Sequence, residues 1–230
     1  MYVQAMEYKA SNGWEKGFRE GTIDDTIHKR FDPYWMPLVC AGRDRQGNPV
    51  VWARTGLLDP PGCTQIPIVF IVRHYVYMMT RIQQAMEEVA MRENRPITGL
   101  FWIEDNSFLR TKHVNWTLIE RVRQCMRVAQ DVYPELQLRS MMVKANFVFE
   151  VAWGIAKHFF DAGTRAKILF CGEGKVEEVL AEWIDPSQTP ECYGGTLEVD
   201  PALMPTDNPV PKSLIRDILK FCAEEGLVDS

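Results

Sequence analysis

The stretch that decides the fold reads Asn146-Phe-Val-Phe-Glu-Val-Ala-Trp-Gly-Ile-Ala-Lys-His-Phe-Phe160, followed by Asp161-Ala-Gly-Thr164-Arg-Ala-Lys167. Phe147, Val148, Phe149, Val151, Ala152, Trp153, Ile155, Phe159 and Phe160 occupy nearly every face of a helix, interrupted only by Glu150, Lys157 and His158. A helix apolar all round is either fully buried or meets lipid. Composition leaves both open: a core helix crossing a sheet, or a helix with one face toward a membrane. Directly after it, a threonine hydroxyl and a lysine ammonium three residues apart stand at the entrance of a strand. Lysine supplies charge and threonine a directional hydrogen bond, so the pair is spaced to hold one phosphate. Without further context, a capping Thr164 and a solvated Lys167 at a strand end are the better reading.

Working outward, strands and helices alternate. Leu138–Lys144 and Ala166–Cys171 read as strands on either side of the apolar helix Phe147–Phe160, and Val176–Trp183 as the next helix. Upstream, Gly99–Glu104 reads as a compact strand. Val114–Tyr133 reads as an amphipathic helix, with Leu118, Val122, Cys125, Met126 and Ala129 on one face and Pro134 stopping it. Ile66-Pro-Ile-Val-Phe-Ile-Val has the composition of a buried strand. Its apolar positions nevertheless continue in helical phase through Val72, Val76, Met79, Ile82, Met86 and Val89. A long helix over Ile68–Arg92 is therefore expected, with a strand for its first turns as the open alternative. Two β-leaning runs, Pro37–Ala41 and Val50–Arg54, flank Gly47-Asn48-Pro49 and predict a hairpin. The first thirty residues read as the end of one helix and a short second one. Lys212–Glu225 reads as a separate amphipathic helix behind the Pro-rich stretch of Pro201, Pro205, Pro209 and Pro211. Strand–helix alternation implies right-handed crossovers and an α/β fold with a mainly parallel sheet.

The chain has 230 residues, 46% apolar and 25% charged, with a formal charge of −5. That is ordinary globular usage, sized for one large domain, with no global positive field to attract nucleic acid. No apolar run approaches the ~18–20 residues that span a bilayer, and the N-terminus lacks a signal-peptide pattern. The expectation is a soluble cytoplasmic protein. The six cysteines lie far apart without a C-x-x-C, which favours reduced thiols. The four histidines make no metal-binding pair, and no metal or cofactor is expected. Cys171-Gly-Glu-Gly-Lys175 sits where a P-loop would, but Leu169 replaces its first glycine and Val176 its Ser or Thr, so a plain strand-to-helix turn is expected. There is no G-x-S-x-G and no dinucleotide glycine pattern. Glu104 and Asp105 are neighbours on a strand and point to opposite faces, which argues against a catalytic dyad and for loop capping. Nothing here predicts an enzyme or a catalytic residue.

The order Asp44-x-x-Gly47-x-Pro49-Val50, Tyr133-Pro134-Glu135, Asn146, the apolar helix ending at Asp161, Thr164-x-x-Lys167 and Pro190-x-x-Tyr193-Gly194-Gly195 resembles the CRAL-TRIO lipid-binding domain, most closely its fungal phosphatidylinositol-transfer members. The likeness extends over Trp14 to Asp200. It implies an α/β domain whose sheet floors an apolar pocket for one lipid, with helices outside and Phe147–Phe160 as a gating helix. It implies that Glu135, Thr164 and Lys167 hold an inositol-phosphate headgroup, and that Trp52, Phe101, Phe147, Phe149, Trp153, Phe159 and Phe160 belong to the pocket and gate. The partners implied are a phospholipid, in the first place phosphatidylinositol, and transiently a membrane surface. The implied function is binding and exchange of that lipid. The alternatives are a lipid sensor or regulatory module that does not transfer cargo, and a carrier of a retinoid- or tocopherol-like molecule.

Two departures stand out. The tyrosines of the family's phosphatidylcholine site align with Cys40 and Trp52, and its Ser and Thr with Gly99 and Phe101, so the choline-lipid route lacks its hydroxyls. The helical cap that usually precedes the domain is represented only by a remnant around Trp14-Glu-Lys-Gly-Phe, without its arginine. The expected organisation is this remnant over 1–30, the lipid-binding domain over 31–200, and a linker plus helix over 201–230.

Overall fold

The computed structural model describes residues 13–133, 136–160, 162–205 and 207–227. Its frame is a five-stranded sheet in the order β1-β2-β3-β4-β5, with β1 (Leu38–Arg43), β2 (Pro49–Ala53), β3 (Leu100–Asp105), β4 (Gln137–Val143) and β5 (Ile168–Phe170). β1 and β2 form the expected antiparallel hairpin, and β2 through β5 run parallel. A helix over residues 13–20 precedes α1 (Thr26–Trp35). The longer helices that follow are α2 (Ile68–Glu93), α3 (Trp116–Val132), α4 (Phe147–Ala156), α5 (Val176–Trp183) and α6 (Lys212–Glu224).

Local chemistry sets the helix ends. Pro67 immediately precedes α2. It has no N–H to leave unpaired, and its fixed φ suits a helix entrance, which decides the strand-or-helix question there in favour of the helix. Asn94 closes α2 in the left-handed conformation, φ 50°, with its N–H on the carbonyl of Ala90. Asn115 caps α3 by accepting from the N–H groups of Thr117 and Leu118. Asn146 caps α4 by accepting from the N–H of Phe149.

Because β2 to β5 are added in sequence and in one direction, right-handed crossovers put α2, α3 and α4 on one face of the sheet. Strand alternation sorts the side chains accordingly. Val51, Ala53, Leu100 and Trp102 join Phe70, Val76, Leu118 and Cys125 in the larger apolar cluster. Val50, Trp52, Phe101, Ile103, Met141 and Val143 face the other way and pack against Val176, Leu180, Ile184 and Tyr193. The C-terminal helix differs from its expected separateness. Leu214, Ile215, Ile218 and Cys222 of α6 are buried in the larger cluster with Phe31 and Phe70, so α6 is part of the main core.

That core contains two histidines that need to stay neutral. His28 and His74 are fully buried, stack at 5.6 Å, and offer none of their ring nitrogens a hydrogen-bond partner. Burial holds His28 down at about 2, helped by His74 and Arg73, and His74 at about 3. The unfolded chain takes up these protons near pH 6.5, whereas the folded one does not. The unfolded state then binds more protons, and stability falls as pH drops below 6.5. Asp32, 3.6 Å from His74 Nε2, acts in the opposite sense below pH 6, because burial raises its carboxyl to about 6. Replacing one histidine isolates its share. In urea unfolding followed from pH 7.5 to 5, His28→Phe is expected to lose its stability less steeply than the wild type, by roughly 1.4 kcal/mol per pH unit below 6.5. Parallel pH profiles would rule this linkage out.

Candidate functional site

A cavity of about 590 Å³ lies between the sheet and the crossover helices. Trp102 and Glu104 of β3 with Ser140 and Met142 of β4 form its floor, and Leu118, Val122 and Met126 of α3 form a wall. Its roof is α4, which presents Phe149, Ala152, Trp153 and Ala156 to the space, a spacing that places them on one helix face. Phe159, Phe160, Gly163, Thr164 and Lys167 continue the lining at one end.

The covering helix is held at its ends more than along its length. At the start, Asn146 Nδ2 donates to the carbonyls of Leu109 (3.2 Å) and Asn106 (3.4 Å). At the finish, Gln130 Nε2 of α3 donates to the carbonyl of Phe159 (3.0 Å), and Arg165 donates to those of Lys157 and Phe160. Between these tethers, Trp153 packs edge-on against Phe170 with ring centres 5.1 Å apart, and stands 6.3 Å from Phe149 and 5.8 Å from Phe160. The outer surface of α4 carries Phe147, 76% exposed, and Val151, while Phe170 of β5, also exposed, stands beside Trp153. A ten-residue helix that buries only Phe149 fully and leaves such groups in solvent is a cover, not a core helix.

The sequence-based site residues divide clearly. Phe149, Trp153, Phe159 and Phe160 line the cavity, as do Thr164 and Lys167, whose backbones are joined by the Lys167 N–H on the Thr164 carbonyl at 3.1 Å. Phe147 belongs to the covering helix but points outward. Glu135 lies outside the described residues, as does Pro134. Trp52 and Phe101 correct the expectation. Both belong to the packed cluster on the opposite face of the sheet, where Trp52 stacks on Tyr193 at 4.9 Å and donates from Nε1 to the carbonyl of Ala41. A shift of one residue along a strand exchanges its faces, so the cavity receives Trp102 where Phe101 was expected.

Glu104 and Asp105 do point to opposite faces, but neither is merely a loop cap. Asp105 accepts from the Tyr193 hydroxyl at 2.8 Å on the packed side. Glu104 lies in the cavity floor, accepting from the Thr55 N–H at 3.1 Å and from Trp102 Nε1 at 2.8 Å. Burial raises its pKa above the usual carboxylate value, against the lowering effect of those two donors. Alternation alone announced that one of the two acids would face inward; it did not say that inward meant a cavity. Cys171–Lys175, as expected, is the strand-to-helix turn entering α5.

An open, helix-covered apolar cavity on a mainly parallel sheet coincides with a family match: the CRAL/TRIO domain model covers residues 36–195. The chain belongs to the CRAL/TRIO domain family. Its cavity is thus that of a CRAL/TRIO lipid-binding domain. Among similar proteins, the phosphatidylinositol/phosphatidylcholine transfer protein SFH4 of Arabidopsis thaliana is 28% identical over 188 residues, 80% of this chain and 31% of that protein. Protein real-time of Drosophila pseudoobscura pseudoobscura is 27% identical over 219 residues, 94% of this chain and 32% of that protein. The chain spans about a third of the length of these curated relatives. A solved structure, the crystal structure of Sfh5, shares the fold with a TM-score of 0.57 at 18% identity, covering 88% of this chain and 67% of that one. No helix among the described residues is long and apolar enough to cross a membrane.

The two faces of this CRAL/TRIO sheet are expected to respond differently to truncation. Phe101→Ala empties a packed site that is 2% exposed and should cost about 3–5 kcal/mol in denaturant unfolding. Trp153→Ala, at the cavity roof, should cost less than about 2 kcal/mol because its ring borders open space. Equal costs would mean that α4 is a core element.

Proposed function

We propose that this CRAL/TRIO domain binds phosphatidylinositol or a phosphoinositide in the cavity and exchanges it with membranes. The observation that carries the reading is the joining, in one cavity, of an apolar interior under a helical cover and the Thr164–Lys167 pair at one end. The ammonium of Lys167 is suited to the phosphodiester charge and the Thr164 hydroxyl to a directional bond. Glu135, by its place in Tyr133-Pro134-Glu135, is assigned to accept from inositol hydroxyls or to orient Lys167. The name of the Arabidopsis relative supports the same ligand class.

Energetics explain why such a ligand needs enclosure. Two acyl chains carry about thirty methylenes, and at ~0.8 kcal/mol each their exposure to water costs on the order of 20 kcal/mol. Exchange then depends on moving the cover where water is excluded, at a membrane. The exposed Phe147, Val151 and Phe170 form the apolar surface that meets it. Swinging α4 means exchanging the terminal hydrogen bonds and the aromatic contacts around Phe149 and Trp153.

Lys167→Ala and Thr164→Asp are each expected to abolish transfer of labelled phosphatidylinositol between liposomes, at unchanged circular dichroism and melting temperature. Wild-type transfer in both variants would remove the headgroup assignment. Native mass spectrometry of protein recovered from mixed liposomes tests the binding itself, and the absence of any retained phospholipid would overturn it. Binding without accelerated exchange would identify a lipid sensor instead.

A further inference from the structure

One edge of the sheet is left open by the described residues. β1 stands at the end of the five strands and is paired only with β2. The Arg54 N–H bonds the Pro37 carbonyl at 2.9 Å, so Pro37 and Val39 direct their main-chain groups to β2. Alternation then turns the N–H and C=O groups of Leu38 and Cys40 outward. Among the described residues, no backbone or side-chain group pairs with them there. Farther along, the edge is protected. The register slips after Cys40, and a side chain on Gly42 would stand 2.1 Å from the Gln188 carbonyl oxygen, so that backbone covers it. Bulges, covers and charged side chains are the usual ways of blunting an edge strand. Leu38 to Cys40 has none of them.

Beside this edge the crossover face opens into a second cleft, of about 520 Å³, between the sheet and α2. Met78, Ile82, Met86 and Val89 line it from one face of α2, and Leu38 and Cys40 line it from β1. Leu100 of β3 lines it too, two strands in from the edge. With strands about 4.8 Å apart, the cleft runs roughly 10 Å inward. It is separate from the lipid cavity, to which α2 turns Tyr75 and Met79 instead. Arg81 also lines the cleft. It is exposed and has no carboxylate within ion-pair range among the described residues. The other charged groups of the lining are engaged. Arg43 pairs with Glu93 and donates to the Gly47 carbonyl, and Asp32 stands 3.6 Å from His74.

We propose that β1 is a docking edge for an extended segment of a partner protein. That segment adds as a further strand, with large apolar residues at alternate positions and an acidic residue beyond them. A strand answers all three features at once. Its main chain pairs with the outward groups of Leu38 and Cys40, whereas an α-helix has already spent its own along its length. Its period of two sends every second side chain to the crossover face, where the cleft receives them. Its carboxylate meets Arg81 in a charge-assisted bond. The inference does not rest on the lipid reading, because Cys40, Arg81 and Ile82 lie outside the lining of the lipid cavity.

The probe is a labelled pool of capped heptapeptides, Glu-Thr-X-Thr-X-Thr-Glu with X drawn from Val, Ile, Leu and Phe, titrated with the full chain at pH 7 and read by fluorescence anisotropy. Two further pools carry N-methyl groups on one alternate set of residues or on the other. In an added strand one set of N–H groups faces β1 and the other faces solvent. One pattern should therefore weaken binding about tenfold or more while the other leaves it unchanged. Which pattern weakens it reports whether the added strand is parallel or antiparallel. Cys40→Pro removes an outward donor without breaking a bond to β2, as edge strands tolerate. It should weaken binding about tenfold at unchanged lipid transfer, whereas Cys40→Ser binds as the wild type does. Ile82→Glu places a charge in the cleft and should have the same effect, which keeps the test open if the proline variant fails to fold. Arg81→Glu should weaken the acidic pool and favour one with Lys in place of Glu. Equal loss, or no loss, with both methylation patterns would mean apolar adsorption without strand pairing and would overturn the proposal. So would wild-type affinity in folded Cys40→Pro and Ile82→Glu, or no binding of the unmethylated pool at about 1 mM.

Discussion

Four parallel strands laid down in chain order, each linked to the next by a right-handed crossover, must carry all their connecting helices on one face. This constraint distributes the work of the molecule. The crossover face receives α2 and α3 as walls and α4 as a cover, and these helices do not fill the space between them. The opposite face receives no crossover at all. It is closed by the chain that follows β5, α5 and the irregular segment up to Met204, packed against Trp52, Phe101, Ile103 and Met141. One face is thus hollow and the other packed.

The solidity of that second face depends on polar groups as much as on apolar ones. Tyr193 is stacked on Trp52, and its hydroxyl bonds Asp105 at the end of β3. Arg54, buried at the end of β2, donates to the carbonyls of Met204 and Pro205 at 2.7 and 2.8 Å and so fastens the returning chain. The turn that delivers Tyr193 needs both of its glycines. Gly194 has φ 86°, and a side chain on Gly195 would stand 1.9 Å from the Thr189 carbonyl oxygen. The Tyr-Gly-Gly sequence is therefore a structural device. It contributes to a ligand site only by keeping β2 and β3 in place beneath it.

The frame was legible because periodicity is a local property. The 3.6-residue repeat of Val72, Val76 and Met79 and the apolar runs of β3 and β4 each carry their own signature, and the structure places α2, α3, α4 and α5 within a few residues of expectation. The all-round apolar character of residues 147–160 left a core helix and a covering helix equally open, and the family resemblance pointed to the cover. What failed was parity. Which of Phe101 and Trp102 faces the crossover helices depends on tertiary packing, since both are large, aromatic and buried. Their strand pattern is apolar on both sides, as expected for a parallel sheet covered on both faces. Glu104 was hidden for the same reason: an acid at a strand end looks like a cap until the opposite wall is known. The buried Arg54 and Arg121 carried no signal either, because an arginine that serves backbone carbonyls of distant loops is indistinguishable in sequence from a solvated one.

A single helix covering a cavity poses an energetic problem that its two surfaces resolve. In water, lifting α4 exposes Phe149, Trp153 and the hydrocarbon they cover, at roughly 1.5–3 kcal/mol for each large side chain, and this favours the closed arrangement. Stronger attachment along the helix would make the cover permanent. Instead the polar tethers at Asn146, Gln130 and Arg165 act at its ends, each contributing about 0.5–1.5 kcal/mol net. On the lipid-exchange reading, a bilayer changes the balance without any new contact within the protein. Hydrocarbon replaces water around the released side chains, the apolar cost of opening falls toward zero, and the polar tethers are what remains to be exchanged among the contacts described. The outward Phe147 and Val151 place that apolar medium next to the helix that must move. Opening is thereby coupled to the surface at which a lipid can leave or enter, and the cavity stays covered elsewhere.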